Sequence, residues 1–273
     1  MVEAILGQAS LLKKIVDCIK DLVSDANFQV TPTGVSLNAM DSSHVSLVTL
    51  NLLAEGFDHF QCTVPRTLGL KTESLSKIMK CSSKSDSVTL RCEKDSDTLS
   101  LFFEAPKTTQ RSHFGLKLID IDSEPLGVPE TNYGTVIRLP TATFTKICQD
   151  LSITGDTISI KTSEKMGVSF SSKNDMAEGK ILLEATPPDD DKTPENESVS
   201  LKVDEPVELS FALRYLVMFC KAAPLSSHVL LKLSQDVPLA VEYPLSMDKE
   251  DGDSRSLGTI CYYLAPKIDD QKA

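Results

Sequence analysis

The chain has 273 residues, 41% hydrophobic and 25% charged, enough for two domains that each bury a core. Its net charge of −11 excludes a generally adhesive nucleic-acid binder, and no apolar run approaches the ~20 residues that span a bilayer. Seven cysteines, an odd number with no CxxC pair among them, argue against a disulfide framework and read as reduced thiols of an intracellular protein.

The N-terminal MVEAILGQAS has an acid at position 3 and no basic-then-apolar pattern, so no secretory signal is expected. From 8 to 23, Leu12, Ile15, Val16, Ile19, Leu22 and Val23 recur at helical spacing, with Ser10 as the expected cap. FQVT, VSLNAM, VSLVTLNL and HFQCTV follow as strands broken by turn residues. A second helix is predicted over 72–81, with Leu75, Ile78 and Met79 inward and Glu73 in its first turn. SVTLRC, DTLSLFFEA and SHFGLKL are further strands.

The stretch 118–134, LIDIDSEPLGVPETNYG, holds Asp120, Asp122, Glu124 and Glu130 and no Lys or Arg. Pro125 and Pro129 bar it from a helix or a central strand, so it reads as a connector between halves. The scheme then restarts: strand TVIRLP, a helix over 141–151, then TISIKT, MGVSFSS and GKILLEA. A polar loop is expected over 186–198, then VSLKV, VELS, a helix over 211–222, HVLLKLS, PLAVEY, a second polar loop over 246–258, and TICYYL. Helices starting near 9, 72, 141 and 211 give a fourfold helix-plus-strands repeat, two copies on each side of the connector. The expected division is 1–117, 118–134 and 135–273, an α+β fold of two similar domains.

The charge is unevenly placed. The four helix windows hold eight basic residues, Lys13, Lys14, Lys20, Lys77, Lys80, Lys146, Arg214 and Lys221, against Asp17, Asp21, Glu73 and Asp150, a net of +4. The rest of the chain therefore stands at −15. Any one of these cations is ordinary on an amphipathic helix. Four repeats biased the same way inside an acidic chain point to a shared cationic surface. With no interleaved aromatics, it suits phosphates rather than bases. No nucleotide-binding, hydrolase or zinc-protease motif is present, and the four histidines lie at least fifteen residues apart. Cys148 and Cys220 fall on apolar helix faces and read as core.

NAMDSSHVSLVTL, SKIMKC, LFFEAP, FALRYLVMFCKAAPLSS, DVPLAVEY and YYLAPKI, spread from residue 38 to 268, closely resemble the proliferating cell nuclear antigen family, the eukaryotic DNA sliding clamps. The resemblance implies a non-enzymatic DNA-clamp fold of two helices and antiparallel sheets per domain, with no cofactor and no metal. It implies a nuclear homotrimeric ring around duplex DNA, with the eight helix cations facing the phosphates. Gln149 and Ile153 stand where the family suggests Arg and His. Partner peptides of polymerase, clamp loader, ligase and nuclease are implied to dock on Met40, His44, Val45 and Leu47, on Leu126, Val128 and Pro129, on Val237 and Pro238, and on Tyr263, Ala265, Pro266 and Ile268. The ring contact is implied to join 111–117 of one chain to 175–183 of the next, through Phe114, Leu116, Lys180, Ile181 and Leu183. Lys165, with Lys161 as its rival, resembles the family's ubiquitin-acceptor lysine. No membrane or small-molecule substrate is implied.

Overall fold

A computed structural model describes residues 1–106, 110–122, 126–127, 131–163, 167–186, 198–248 and 254–267. The chain forms two compact units, Met1–Gly127 with Pro244–Ile260, and Val128–Tyr243 with Cys261–Ala273. The segment Pro244–Ile260 thus belongs with the first unit, although it follows most of the second in sequence.

The first unit comprises β1 (Val2–Leu6), α1 (Ala9–Ile19), β2 (Asp25–Thr31), β3 (Gly34–Met40), β4 (Ser46–Leu53), β5 (His59–Cys62), β6 (Arg66–Lys71), α2 (Thr72–Met79), β7 (Ser87–Cys92), β8 (Thr98–Glu104) and β9 (Arg111–Lys117). One sheet has the order β5-β1-β7-β8-β9, and β4-β3-β2-β6 lie side by side in another. The second unit holds β10 (Thr135–Pro140), α3 (Thr141–Leu151), β11 (Thr157–Ser163), β12 (Gly167–Lys173), β13 (Glu178–Leu183), β14 (Ser200–Val203), β15 (Glu208–Ala212), α4 (Leu213–Phe219) and β16 (His228–Leu233). β17 (Leu239–Asp248) and β18 (Ser254–Leu264) follow as sheet neighbours. In the second unit the sheet orders are β13-β12-β11-β15 and β14-β10-β16-β17.

The repeat is strand, helix, three strands: β1-α1-β2-β3-β4, β6-α2-β7-β8-β9, β10-α3-β11-β12-β13 and β15-α4-β16-β17-β18. Its leading strands β1 and β6 escape the periodicity reading, which does find β10. Of the predicted polar loop 246–258, residues 246–248 and 254–258 are strand, and 249–253 lie outside the described residues. The outer part of β18 lies beside β4, where Gly258, at φ 131°, sits so close that a Cβ would come within 1.9 Å of the Asn51 carbonyl oxygen.

The helices are not capped as expected. Ser10 lies inside α1, and none of the four described helices has a side-chain N-cap hydrogen bond. Instead, the first N–H of each helix donates to a carbonyl in the turn after its partner helix. Ala9 reaches Asp86 at 2.7 Å, Thr72 reaches Ser24 at 2.9 Å, Thr141 reaches Ser227 at 3.1 Å and Leu213 reaches Asp156 at 2.9 Å. Four repeats thus satisfy an otherwise orphaned donor in one way. Thr72 and Thr141 add their hydroxyls, donated to the Val23 carbonyl at 2.6 Å and the Ser226 carbonyl at 2.9 Å. The fourth helix is shorter than predicted. Phe211 is buried in β15, and beyond Phe219 the chain tightens into a 3-10 helix, Cys220–Leu225. Pro224 lacks the N–H that would reach the Cys220 carbonyl, and its ring would strike that carbonyl in an α-helix.

The cores differ in composition. The six largest fully buried side chains, Tyr243, Tyr262, Phe144, Phe170, Phe211 and Phe219, all belong to the second unit. The first unit is filled mainly by Leu, Ile, Val and Met, and keeps a wholly apolar cavity of about 60 Å³ whose lining includes Leu12, Val16, Phe28, Leu50, Leu68 and Leu75.

Candidate DNA-facing and docking surfaces

In the first unit α1 packs on α2 with Leu12, Ile15, Val16, Leu75 and Met79 buried, which leaves the cations at the surface. Lys14, Lys77 and Lys80 are exposed, while Lys13 and Lys20 are half-buried. Lys20 is not a free cation. It donates to Asp17 and to the Ser76 hydroxyl at 3.3 Å, and Ser76 donates to the same Asp17 oxygen at 2.9 Å, tying the two helices together. Burial alone would raise the Asp17 carboxyl, but hydrogen bonds from Lys20 and Ser76 outweigh it and hold the group below its ordinary range, while the bond to Asp17 raises Lys20. Lys77 pairs with Glu73 at 2.7 Å. Two of this surface's five cations are therefore paired with acids on their own helices.

In the second unit Lys146, Arg214 and Lys221 are exposed, and the Arg214 guanidinium lies 5.0 Å from the Tyr215 ring centroid. Lys221 sits in the 3-10 segment, so the seven-residue spacing from Arg214 is not two turns of one α-helix. Gln149 and Ile153 are both exposed, Ile153 in the turn after α3 and 80% accessible.

The docking residues fall in both units. In the first, Met40, Val45 and Leu47 are half-buried and His44 is exposed. Asp41, buried, organises their loop by accepting the N–H groups of Ser43 at 3.0 Å, Val45 at 2.9 Å and Ser46 at 2.6 Å. This bends the chain so sharply that His44 adopts φ 55°, with Nδ1 3.2 Å from the Met40 sulfur. The connector is fastened to the same unit. Ile119 donates to the Gly69 carbonyl at 2.9 Å, and Asn27 and Asn38 donate to the carbonyls of Ile121 at 3.1 Å and Leu126 at 3.0 Å. Gly69 permits the approach, since a Cβ there would meet the Ile119 oxygen at 2.1 Å. Val128, Pro129, Lys165 and Ile268 lie outside the described residues.

In the second unit Val237 is half-buried and Pro238 exposed, next to Asp236, which has φ 61°. His44 and Asp236 are the non-glycine residues with positive φ among those described, and both sit in loops carrying implied docking residues. Tyr133, which the sequence reading left out, donates to the Pro238 carbonyl at 3.1 Å, and burial raises its phenol to about 12. Tyr263 is half-buried and likewise shifted upward by burial, with Cys261, itself raised to about 12, beside it. Ala265 is exposed, Pro266 half-buried, and Lys267 is pinned by its N–H to the Ser210 carbonyl at 2.7 Å.

β9 and β13 each end a sheet and pair on one side. On β9, Phe114 is half-buried, its ring 5.8 Å from that of Phe103, whereas Leu116 turns into the core at 9% accessibility. On β13, Lys180 is exposed and Ile181 and Leu183 are half-buried. Leu182, at 46%, is the exposed apolar residue, missed because pattern does not say which face of an edge strand is covered.

Each unit thus carries a helix pair with outward cations on an otherwise acidic chain. The family described as proliferating cell nuclear antigen, N-terminal domain, matches residues 1–125, and its C-terminal domain matches residues 127–267. The chain belongs to the proliferating cell nuclear antigen family. It is a DNA sliding clamp, a processivity factor and docking platform for replication and repair proteins, in a family of non-catalytic clamps.

Proposed function

We propose that three copies of this chain close head to tail into a ring that encircles duplex DNA, with β9 of one copy laid beside β13 of the next. The observation that carries this reading is the fate of the repeat's last strands. β4 and β18, which end the first and fourth copies, lie side by side, whereas β9 and β13, which end the second and third, are both left as sheet edges. A heterologous closed ring gives those edges the partner that β4 and β18 already have. Phe114, Ile181, Leu182 and Leu183 supply the apolar contacts, with Lys180 at the rim.

Lys13, Lys14, Lys77, Lys80, Lys146, Arg214 and Lys221 face the phosphates, and Lys20 contributes less because Asp17 holds it. Retention comes from closure, so the lining needs only weak, sequence-independent attraction. The docking residues of both units, Tyr133 included, take short hydrophobic peptides of polymerase, clamp loader, ligase and nuclease. Lys165 takes ubiquitin, and the protein works in the nucleus.

The test is retention by topology. Loaded on nicked circular DNA, the protein survives a high-salt wash and is lost when the circle is linearised. Equal loss from circular and linear DNA overturns encirclement. Light scattering of the free protein gives the mass of a trimer, which Phe114→Ala shifts toward monomer.

A further inference from the structure

The second unit carries a chemical feature that its own internal repeat lacks. α3 and α4 run antiparallel, and backbone ties clamp both ends: Thr141 to Ser227 at one, Leu213 to Asp156 at the other. Cys148 lies midway between Thr141 and Asp156, and Cys220 midway between Leu213 and Ser227. The register of the pair therefore sets the two thiols opposite each other, and the side chains are hydrogen-bonded. Cys148 is fully buried and Cys220 is 8% accessible. The first unit, clamped in the same way, places Val16 and Met79 at the corresponding positions seven residues into each helix, both buried and inert.

The two sulfurs are unlike. The hydrogen bond from Cys148 lowers the Cys220 thiol and outweighs the opposing effect of burial, and Cys148, as the donor, is raised. Cys220 is also the more accessible of the two, at the point where α4 tightens into the 3-10 turn. That is the arrangement of an attacking thiol with a resolving thiol in contact.

We infer that Cys148 and Cys220 form a modification site for small hydroperoxides, which oxidise the pair to a disulfide joining α3 to α4. The Cys220 thiolate attacks the peroxide O–O bond, giving Cys220 sulfenic acid and releasing hydroxide or alkoxide. The Cys148 thiol then gives up its proton as its sulfur displaces the sulfenic hydroxyl, so that water leaves and the S–S bond forms. Each cysteine loses one electron, and the peroxide takes up both. The product covalently joins the segments that carry Lys146 and Lys221.

The full-length trimer, treated with hydrogen peroxide at a few equivalents and then alkylated in denaturant, is digested and mapped without reduction. Tryptic peptides 147–161 and 215–221 hold one cysteine each and appear as a linked species lighter by two hydrogens, which a reductant separates. The replacement Cys148→Val with Cys220→Met, borrowed from the first unit's own repeat, folds with an unchanged circular dichroism spectrum and yields no such species. Cys81, exposed at the end of α2, is the internal reference and oxidises without forming that link. Recovery of Cys148 and Cys220 as alkylated thiols under doses that oxidise Cys81 overturns the proposal. So does accumulation of sulfinic acid on Cys220 with Cys148 still free.

Discussion

The two units solve one packing problem with different material. Both clamp an antiparallel helix pair between backbone ties, and both back it with antiparallel sheets. The second unit fills its interior with Tyr and Phe, and all five tyrosines of the chain lie there. The first relies on branched aliphatics and leaves a void of about 60 Å³. Aromatic rings bury more area per side chain and stack, as Phe219 and Tyr262 do at 4.5 Å. Fold is thus insensitive to which hydrophobe fills the core, whereas rigidity and local chemistry are not.

The largest expected break in this contrast is Phe144→Ala, which removes a fully buried ring and should cost about 3–5 kcal/mol. Leu75→Ala beside the first unit's cavity should cost less, about 2–3 kcal/mol, because part of the space there is already empty. Urea unfolding separates the two, since tyrosine fluorescence reports on the second unit alone in a chain without tryptophan.

Alkali should also act on the second unit first. Tyr133 is raised from 10.0 to about 12 and Cys261 from 9.0 to about 12. The unfolded chain therefore releases these protons before the folded one does. Their contribution is whole below the unfolded values and is lost as pH rises through the window up to about 12. The urea midpoint should fall across that window, and Tyr133→Phe should lessen the fall.

Thr72→Val and Thr141→Val test the likeness rather than the contrast. Each removes a hydroxyl from the same tie between paired helices and should cost about 1–2 kcal/mol. Similar losses in thermal unfolding support equivalent repeats, and a loss confined to one unit argues against equivalence. Smallest is Val16→Ile, which grows into the cavity. At about 24 cal/mol per Å³ the whole void costs on the order of 1.4 kcal/mol, so one added methyl should recover about 0.5 kcal/mol. Calorimetry should show a rise of one or two degrees.

Much of this was legible in the chain. The α3 bounds, 141–151, follow from Phe144, Ile147, Cys148 and Leu151 alone, and the net positive helices follow from counting. The β1 and β6 strands were not legible, nor was the strand character of 246–248 and 254–258, because a strand's stability comes from a neighbour that local pattern does not name. The cations show the same divide. Counting put Lys20 with the others, but Asp17 pairs with it and Ser76 bridges the two.

The sequence by itself determined the repeat, the acidic connector and the cationic bias of the helices, since these depend on residue order and side-chain chemistry within a few turns. Tertiary structure alone decided the rest: which edge strands lack a partner, that Leu116 turns inward while Leu182 stays out, that Gly69 admits the connector, and that Cys148 meets Cys220. Those outcomes depend on contacts between residues scores of positions apart. Their partners are chosen by packing and by the need of every buried N–H and C=O for a hydrogen bond.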